Sequence, residues 1–278
     1  MNLTKKLSLQ KPLMLLALII IAAVSCPTFL TPSNILSTLL AVCIYGVMAC
    51  GTIFPLLNGG IDLSIGSVAA LSGSVMVLVT IASGYSTGGT ILGIVLGLLA
   101  GTACGALNGL ISYYFALPAF VVTLAMKNII LGVTQHITNR NTVICLYSDL
   151  MNWIGTGKIL GVQFLIILFV IVFLIAWFAL NRSKFGRYTY AVGGNEVASR
   201  YSGVNSRLVG ISAYAISGFT AALACISNIG PGMGQIGPAS CFNIFSAPVK
   251  MVLAVIVLLG RLELHPILAF FAPTTWRK

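Results

Sequence analysis

Apolar residues in this chain come in long runs separated by short polar breaks. A membrane-crossing helix needs roughly 20 mostly apolar residues, and the runs meet that length repeatedly. The first extends from Leu13 to Leu30, and Pro32 and Asn34 interrupt it. Others follow at Ile35–Leu57, Leu63–Ser83, Thr90–Tyr113 and Pro118–Thr134. A more polar stretch, Gln135–Gly161, carries Arg140, Asp149 and Lys158. Apolar runs resume at Val162–Leu180, Leu208–Ile229 and Val249–Phe271. The pattern predicts an all-α, polytopic transmembrane helical bundle of about eight apolar segments, read as one domain over residues 1–272.

Composition strengthens that expectation. Of 278 residues, 58% are apolar and 7% charged, with a mean hydropathy of +1.05, against about 25% charge in a typical soluble domain. Fifteen Lys and Arg face four Asp and Glu, a net charge of +11. The basic residues sit in short connecting segments rather than on one face, which points to membrane orientation and not to nucleic acid. With a cytoplasmic N-terminus and single crossings, Asn181–Arg207 is cytoplasmic, with Arg182, Lys184, Arg187, Arg200 and Arg207, and so is the tail with Arg277 and Lys278. Arg140 and Lys158 are then the clear cations of the outer loops.

Lys5, Lys6 and Lys11 ahead of an apolar run imitate a signal peptide, but Pro27 after Cys26 and the many later spans predict an uncleaved first helix. The seven cysteines (Cys26, Cys43, Cys50, Cys104, Cys145, Cys225 and Cys241) form no CxxC pair and mostly lie in apolar runs. They supply neither a metal nor a disulfide framework.

Gly93, Gly97, Gly101, Gly105 and Gly109 recur every four residues. On a helix this is one continuous face of small residues, which in lipid admits a close neighbouring helix. Asn108 beside the stripe either hydrogen-bonds across that contact or faces a polar path. Asp62, in LNGGIDLSIGS, is an ionisable residue between two spans. Such a residue is a functional candidate, while an N-cap for the next helix is the plainer role. Gly59 and Gly60 permit a tight turn there. Asn58 and Asp62, with Asn108, are the candidate pathway-lining residues. Glu263 lies near Arg261 and His265. There is no GxxxxGK[ST], GxSxG or HExxH sequence, and His136 and His265 are far apart. No catalytic residue, metal ligand or cofactor site is expected.

The charged segment NRSKFGRYTYAVGGNEVASRYSGVNSR reads as a short capped helix. Gly193 and Gly194 break the chain, Asn195 caps, and Gly203 stops the helix. Glu196 and Arg200 are spaced as a favourable helix pair. Val197, Ala198 and Tyr201 are available for a partner. The local reading leaves two roles open, a docking helix or a solvated connector.

This segment resembles the cytoplasmic signature of sugar-type ABC importer permeases, the ribose/xylose/autoinducer-2 branch. GRYTYAVGGNEVASRYSGV, Gly186–Val204, is its most specific part. Similar to the same family are NGGIDLSIGS (Asn58–Ser67), the glycine stripe ending in GALNGLI (Gly105–Ile111) and LPAFVVTLAMKNIILGV (Leu117–Val133). The resemblance implies a permease subunit in a bacterial inner membrane. It implies a second permease subunit, homo- or heterodimeric, and a periplasmic or extracellular binding protein that delivers a sugar-like solute. It also implies a separate ATPase subunit that binds ATP and Mg and is coupled through Gly193, Gly194, Asn195, Glu196, Arg200 and Gly203. After Gly234 the family continues with an acidic, glycine-rich segment. This chain reads QIGPASCFNIFSAPVK instead, so 235–278 is expected to be a divergent or truncated C-terminal region. An ion-coupled secondary transporter and a non-transporting permease fragment are the competing readings.

Overall fold

The computed structural model describes residues 29–226, apart from 142, 144, 146 and 160, and four earlier helical positions, Leu16, Ile19, Ile20 and Ala23. Most of the expected first span, the Val249–Phe271 run, Glu263 and the 235–278 region lie outside the described residues.

The polar breaks of the sequence fix where helices start and stop. Helix α1 covers Pro32–Leu57 and opens with proline in its first turn, where no amide partner is lost. Helix α2 covers Ile65–Ala82. Helix α3 covers Thr87–Tyr114, and Ser86 caps it by accepting a hydrogen bond from the Gly89 amide at 3.1 Å. Helix α4 covers Ala119–Ile137 after Pro118. The polar stretch that follows holds a short helix α5, Asp149–Thr156, capped by Ser148. Two-residue strands β1 (Lys158–Ile159) and β2 (Val162–Gln163) then pair antiparallel around Gly161, whose φ is +83°. Helix α6 covers Phe164–Arg182, α7 Lys184–Gly194, α8 Glu196–Tyr201 and α9 Ser206–Ile226.

Among the described residues, six helices (α1–α4, α6 and α9) are long and apolar enough to cross a membrane. The connecting segments separate into two ends of the bundle. One end holds the 58–64 and 115–118 breaks with α7 and α8, and there the Arg207 guanidinium lies 6.0 Å from the Tyr114 ring centroid. The other holds the 83–86 turn, α5 and the hairpin, and there Thr90 and Ser148 share a hydroxyl hydrogen bond of 2.9 Å.

Helix α9 is the axis of the bundle, with 61% of its span buried, against 11% for α6. Its buried residues are mainly small: Gly210, Ala213, Ser217, Gly218, Ala221, Ala222 and Ala224. The buried face of α3 is Thr90, Gly93, Gly97, Gly101, Gly105, Asn108, Gly109 and Ser112, while Leu92, Leu96, Leu99 and Leu110 point outward. This inverts the pattern of a soluble protein. Lipid tails are as apolar as leucine, so close packing of small residues and interhelical hydrogen bonds drive association.

The glycine stripe serves two neighbours in succession. A Cβ at Gly93 or Gly97 would strike α2 at Met76, one at Gly101 would strike both Ser72 of α2 and Ala222 of α9, and one at Gly105 or Gly109 would strike α9 at Tyr214 or Ile211. Helix α1 meets α9 the same way, with Gly51 against Thr220. Val47, Val172 and Ala224 close an apolar cluster among α1, α6 and α9.

Candidate functional site

Two groups of candidate residues meet at the charged end of the bundle. The first is the break between α1 and α2. Helix α1 ends at Leu57, with Pro55 inside its last turn. Gly59 then turns the chain at φ +78°, a conformation that disfavours side chains with a Cβ. Residues 61–64 lie outside any helix and alternate in burial: Ile61 and Leu63 are exposed, Asp62 is half-buried and Ser64 is buried.

Asp62 turns into the bundle. Its Oδ1 accepts from the Ser64 amide at 3.0 Å and from the Ser64 hydroxyl at 2.7 Å. Its Oδ2 accepts from the Ser217 hydroxyl of α9 at 2.7 Å. Asn108 of α3 donates to the Ser64 hydroxyl at 2.7 Å. Thr123 of α4 donates to the Ile61 carbonyl at 3.0 Å. A single break is therefore tied to α3, α4 and α9. The carboxylate takes a free amide at the start of α2, where the helix dipole favours negative charge. Asp62 is not the N-cap of α2: that position is Ser64, which makes no side-chain cap bond, and Asp62 instead holds the Ser64 amide and hydroxyl from outside the helix. Asn108 bonds across its packing face.

Neighbouring polar atoms lack partners among the described residues: the Asn108 Oδ1, the Tyr214 hydroxyl and both amide atoms of Asn58. Tyr214 is fully buried, and its hydroxyl lies where a Cβ on Gly60 would stand. Gly60 is thus required for space, not only for a turn. Ser64, Ser217, Thr123 and Tyr214 were not among the sequence candidates. Their contacts join positions far apart in the chain, and a lone serine or threonine in an apolar run carries no local signal of such a partner.

The second group is the α7–α8 segment. The sequence predicts a break at Gly193 and Gly194, but α7 continues through both and the chain breaks at Asn195, where φ is −160°. The reason is packing. Gly193 lies against the Leu57 carbonyl, leaving no room for a Cβ, so this glycine admits a backbone contact with α1. The cap and stop fall where expected. Asn195 Oδ1 accepts from the Ala198 amide at 2.9 Å, and Gly203 takes φ +82° as its amide reaches the Arg200 carbonyl.

The Glu196–Arg200 pair forms at 2.6 Å and does more than support one helical turn. Arg200 Nε donates to the Ser206 hydroxyl at 2.8 Å, and that hydroxyl donates to Glu196 Oε1 at 3.0 Å. Ser206 is the first residue of α9, so the triad staples the short helix to the axis of the bundle. Outward from it stand Val197 and Tyr201, the latter 90% exposed. Among the described residues, no three His, Cys, Asp or Glu side chains gather as a metal site.

Comparison with known proteins identifies the family of the chain. Residues 34–274 match the family described as branched-chain amino acid transport system / permease component, and this stretch includes most of 235–278. The chain is 36% identical over 233 residues to the ribose import permease protein RbsC of Escherichia coli K12, covering 79% of this chain and 68% of that protein. It is 39% identical over 211 residues to the RbsC of Bacillus subtilis 168, covering 76% and 64%. To the D-allose transport system permease protein AlsC of Escherichia coli K12 it is 32% identical over 201 residues, covering 70% and 59%. The chain thus spans about two thirds of the length of these relatives or somewhat less. No solved structure matches it.

Proposed function

The chain belongs to the branched-chain amino acid transport system / permease component family, and from that premise we propose that it forms the translocation pathway of an ATP-binding cassette importer for a sugar or sugar-like solute. It is a multi-pass membrane transporter subunit of the sugar permease type and not an enzyme. In the proposed assembly, a second permease subunit completes the pathway and an external binding protein delivers the solute. A separate ATPase subunit holds ATP and Mg, and the N-terminus of this chain is cytoplasmic in the inner membrane. The relatives named for ribose and D-allose import support the sugar class.

One observation carries the proposal: a capped helix, α8, is stapled to the most buried helix and presents Val197 and Tyr201 outward. A solvated connector needs neither feature. An ATPase seated on α8 would move α9, and α9 holds the 58–64 break through Ser217. Differential binding of the two ATPase states then shifts the balance between two permease conformations.

The test is co-purification of the full chain with its candidate ATPase. Val197→Asp with Tyr201→Ala removes the outward apolar contact and leaves the staple intact, so the complex is expected to be lost while insertion is retained. A stably inserted wild-type chain that binds no ATPase would sink the importer reading and favour a secondary carrier or a non-transporting fragment.

A further inference from the structure

The 58–64 break lies inside the membrane-spanning bundle, not beyond it. Asn108, which bonds Ser64, is six residues short of the end of α3, and Ser217, which bonds Asp62, is eleven residues into α9. At 1.5 Å per residue the break is about 9 to 16 Å from the charged-end limits of those helices. Irregular backbone at such depth persists only where it is buried in protein or lines a water-filled cavity. This break is buried on one side only: Gly60 and Ser64 are buried, whereas Ile61 and Leu63 are exposed. The amides of Ile61, Asp62 and Leu63 donate to no group among the described residues, and such amides at depth require water. Asp62 and Ser64 are held inward by Ser217 and Asn108, while Ile61 and Leu63 stand outward, 51% and 38% exposed.

We infer that Ile61 and Leu63, with the free amides between them, line the solute pathway, and that this wall favours an uncharged, hydroxyl-bearing solute over a cation. The inference rests on the importer reading and names residues for its pathway. Asp62 then acts as a positioning residue, since its two oxygens hold the loop. Two apolar side chains resist a hydrated ion by excluding its water. The neighbouring amides offer neutral donors that a hydroxyl can accept from and that cannot replace a cation's water shell.

The experiment uses the full chain in lipid nanodiscs, with Ile61→Cys and Leu63→Cys made separately and Ile175→Cys on the lipid-facing side of α6 as control. A charged, membrane-impermeant thiosulfonate is applied, and each site is read by mass spectrometry, which separates it from the native cysteines. Positions 61 and 63 are expected to label about ten-fold or more faster than 175, because the reactive thiolate forms only where water reaches. Labelling as slow as at 175 in both variants places the break against lipid or protein and overturns the inference. A disulfide between two copies through either cysteine assigns the face to a subunit contact and also overturns it. Either variant suffices if the other fails to fold. Slow labelling in a chain that still binds its ATPase rejects this inference alone, whereas failure to bind any ATPase rejects the importer reading.

Discussion

Ser217 donates its hydroxyl to Asp62 Oδ2 at 2.7 Å, joining positions 155 residues apart. The bond connects the buried axis helix to the break between α1 and α2. Ser206, at the start of that same helix, is bonded to both Glu196 and Arg200. The two serines mark the ends of a rigid segment that connects α8 to the break.

Removing the inner bond is expected to be costly. Ser217→Ala leaves Asp62 Oδ2 without its donor, and hydrogen bonds to charged groups contribute about 1.5–3 kcal/mol. Thermal unfolding in detergent should show a destabilisation of that order. Ser217→Thr keeps the hydroxyl and should recover most of it. Wild-type stability in Ser217→Ala would show that the bond to Asp62 contributes little.

The glycine stripe predicts a sharp contrast within one helix. Gly105→Ala drives a Cβ into the Tyr214 carbonyl of α9, and overpacking of this kind costs about 1–3 kcal/mol. Gly88→Ala, in the first turn of α3, meets nothing within 4 Å and should be neutral or mildly stabilising. Melting temperatures of the two purified variants would check the contrast.

At α8, stability and geometry should separate. Glu196→Gln removes an ion pair whose partners are about half exposed, so its effect on global stability should be at most about 0.5 kcal/mol. Ser206→Ala cuts the staple to α9, and faster amide hydrogen exchange across 195–205 is expected with little change in global unfolding. Gly203→Ala places a Cβ at φ +82° and should cost about 1 kcal/mol. Exchange no faster in Ser206→Ala than in wild type would remove the staple from the account.

Cys145 offers a reactivity test at the opposite end. It is buried at 1% exposure, and burial pushes its thiol above the usual value, with the Ser148 backbone partly opposing. A raised thiol pKa means less thiolate at a given pH, so maleimide labelling should be slow near neutrality and rise only at higher pH. Tyr147→Cys, at a 75% exposed position, should label readily at neutral pH. Matching pH profiles at the two positions would contradict the burial of Cys145.

The sequence by itself determined the class of the protein, the limits of most spans and the short capped helix, because each depends on local chemistry. Length and apolarity decide whether a segment crosses lipid, and Asn195 and Gly203 act on backbone within four residues of themselves. The glycine period also marked a packing face without help, since small residues are what lipid-immersed helices use for contact. Only the tertiary structure decided what that face meets, and that it divides between α2 and α9. It also decided that Gly193 is a contact rather than a break, and that Asp62 turns inward while Ile61 and Leu63 turn outward. The physical reason is the solvent. In water, an apolar stripe shows which side of a helix is buried. In lipid, both sides of α6 are apolar and little of it is buried, so hydrophobicity loses that information. It passes to scattered serines, threonines and glycines, whose partners are assigned only when the chain is folded.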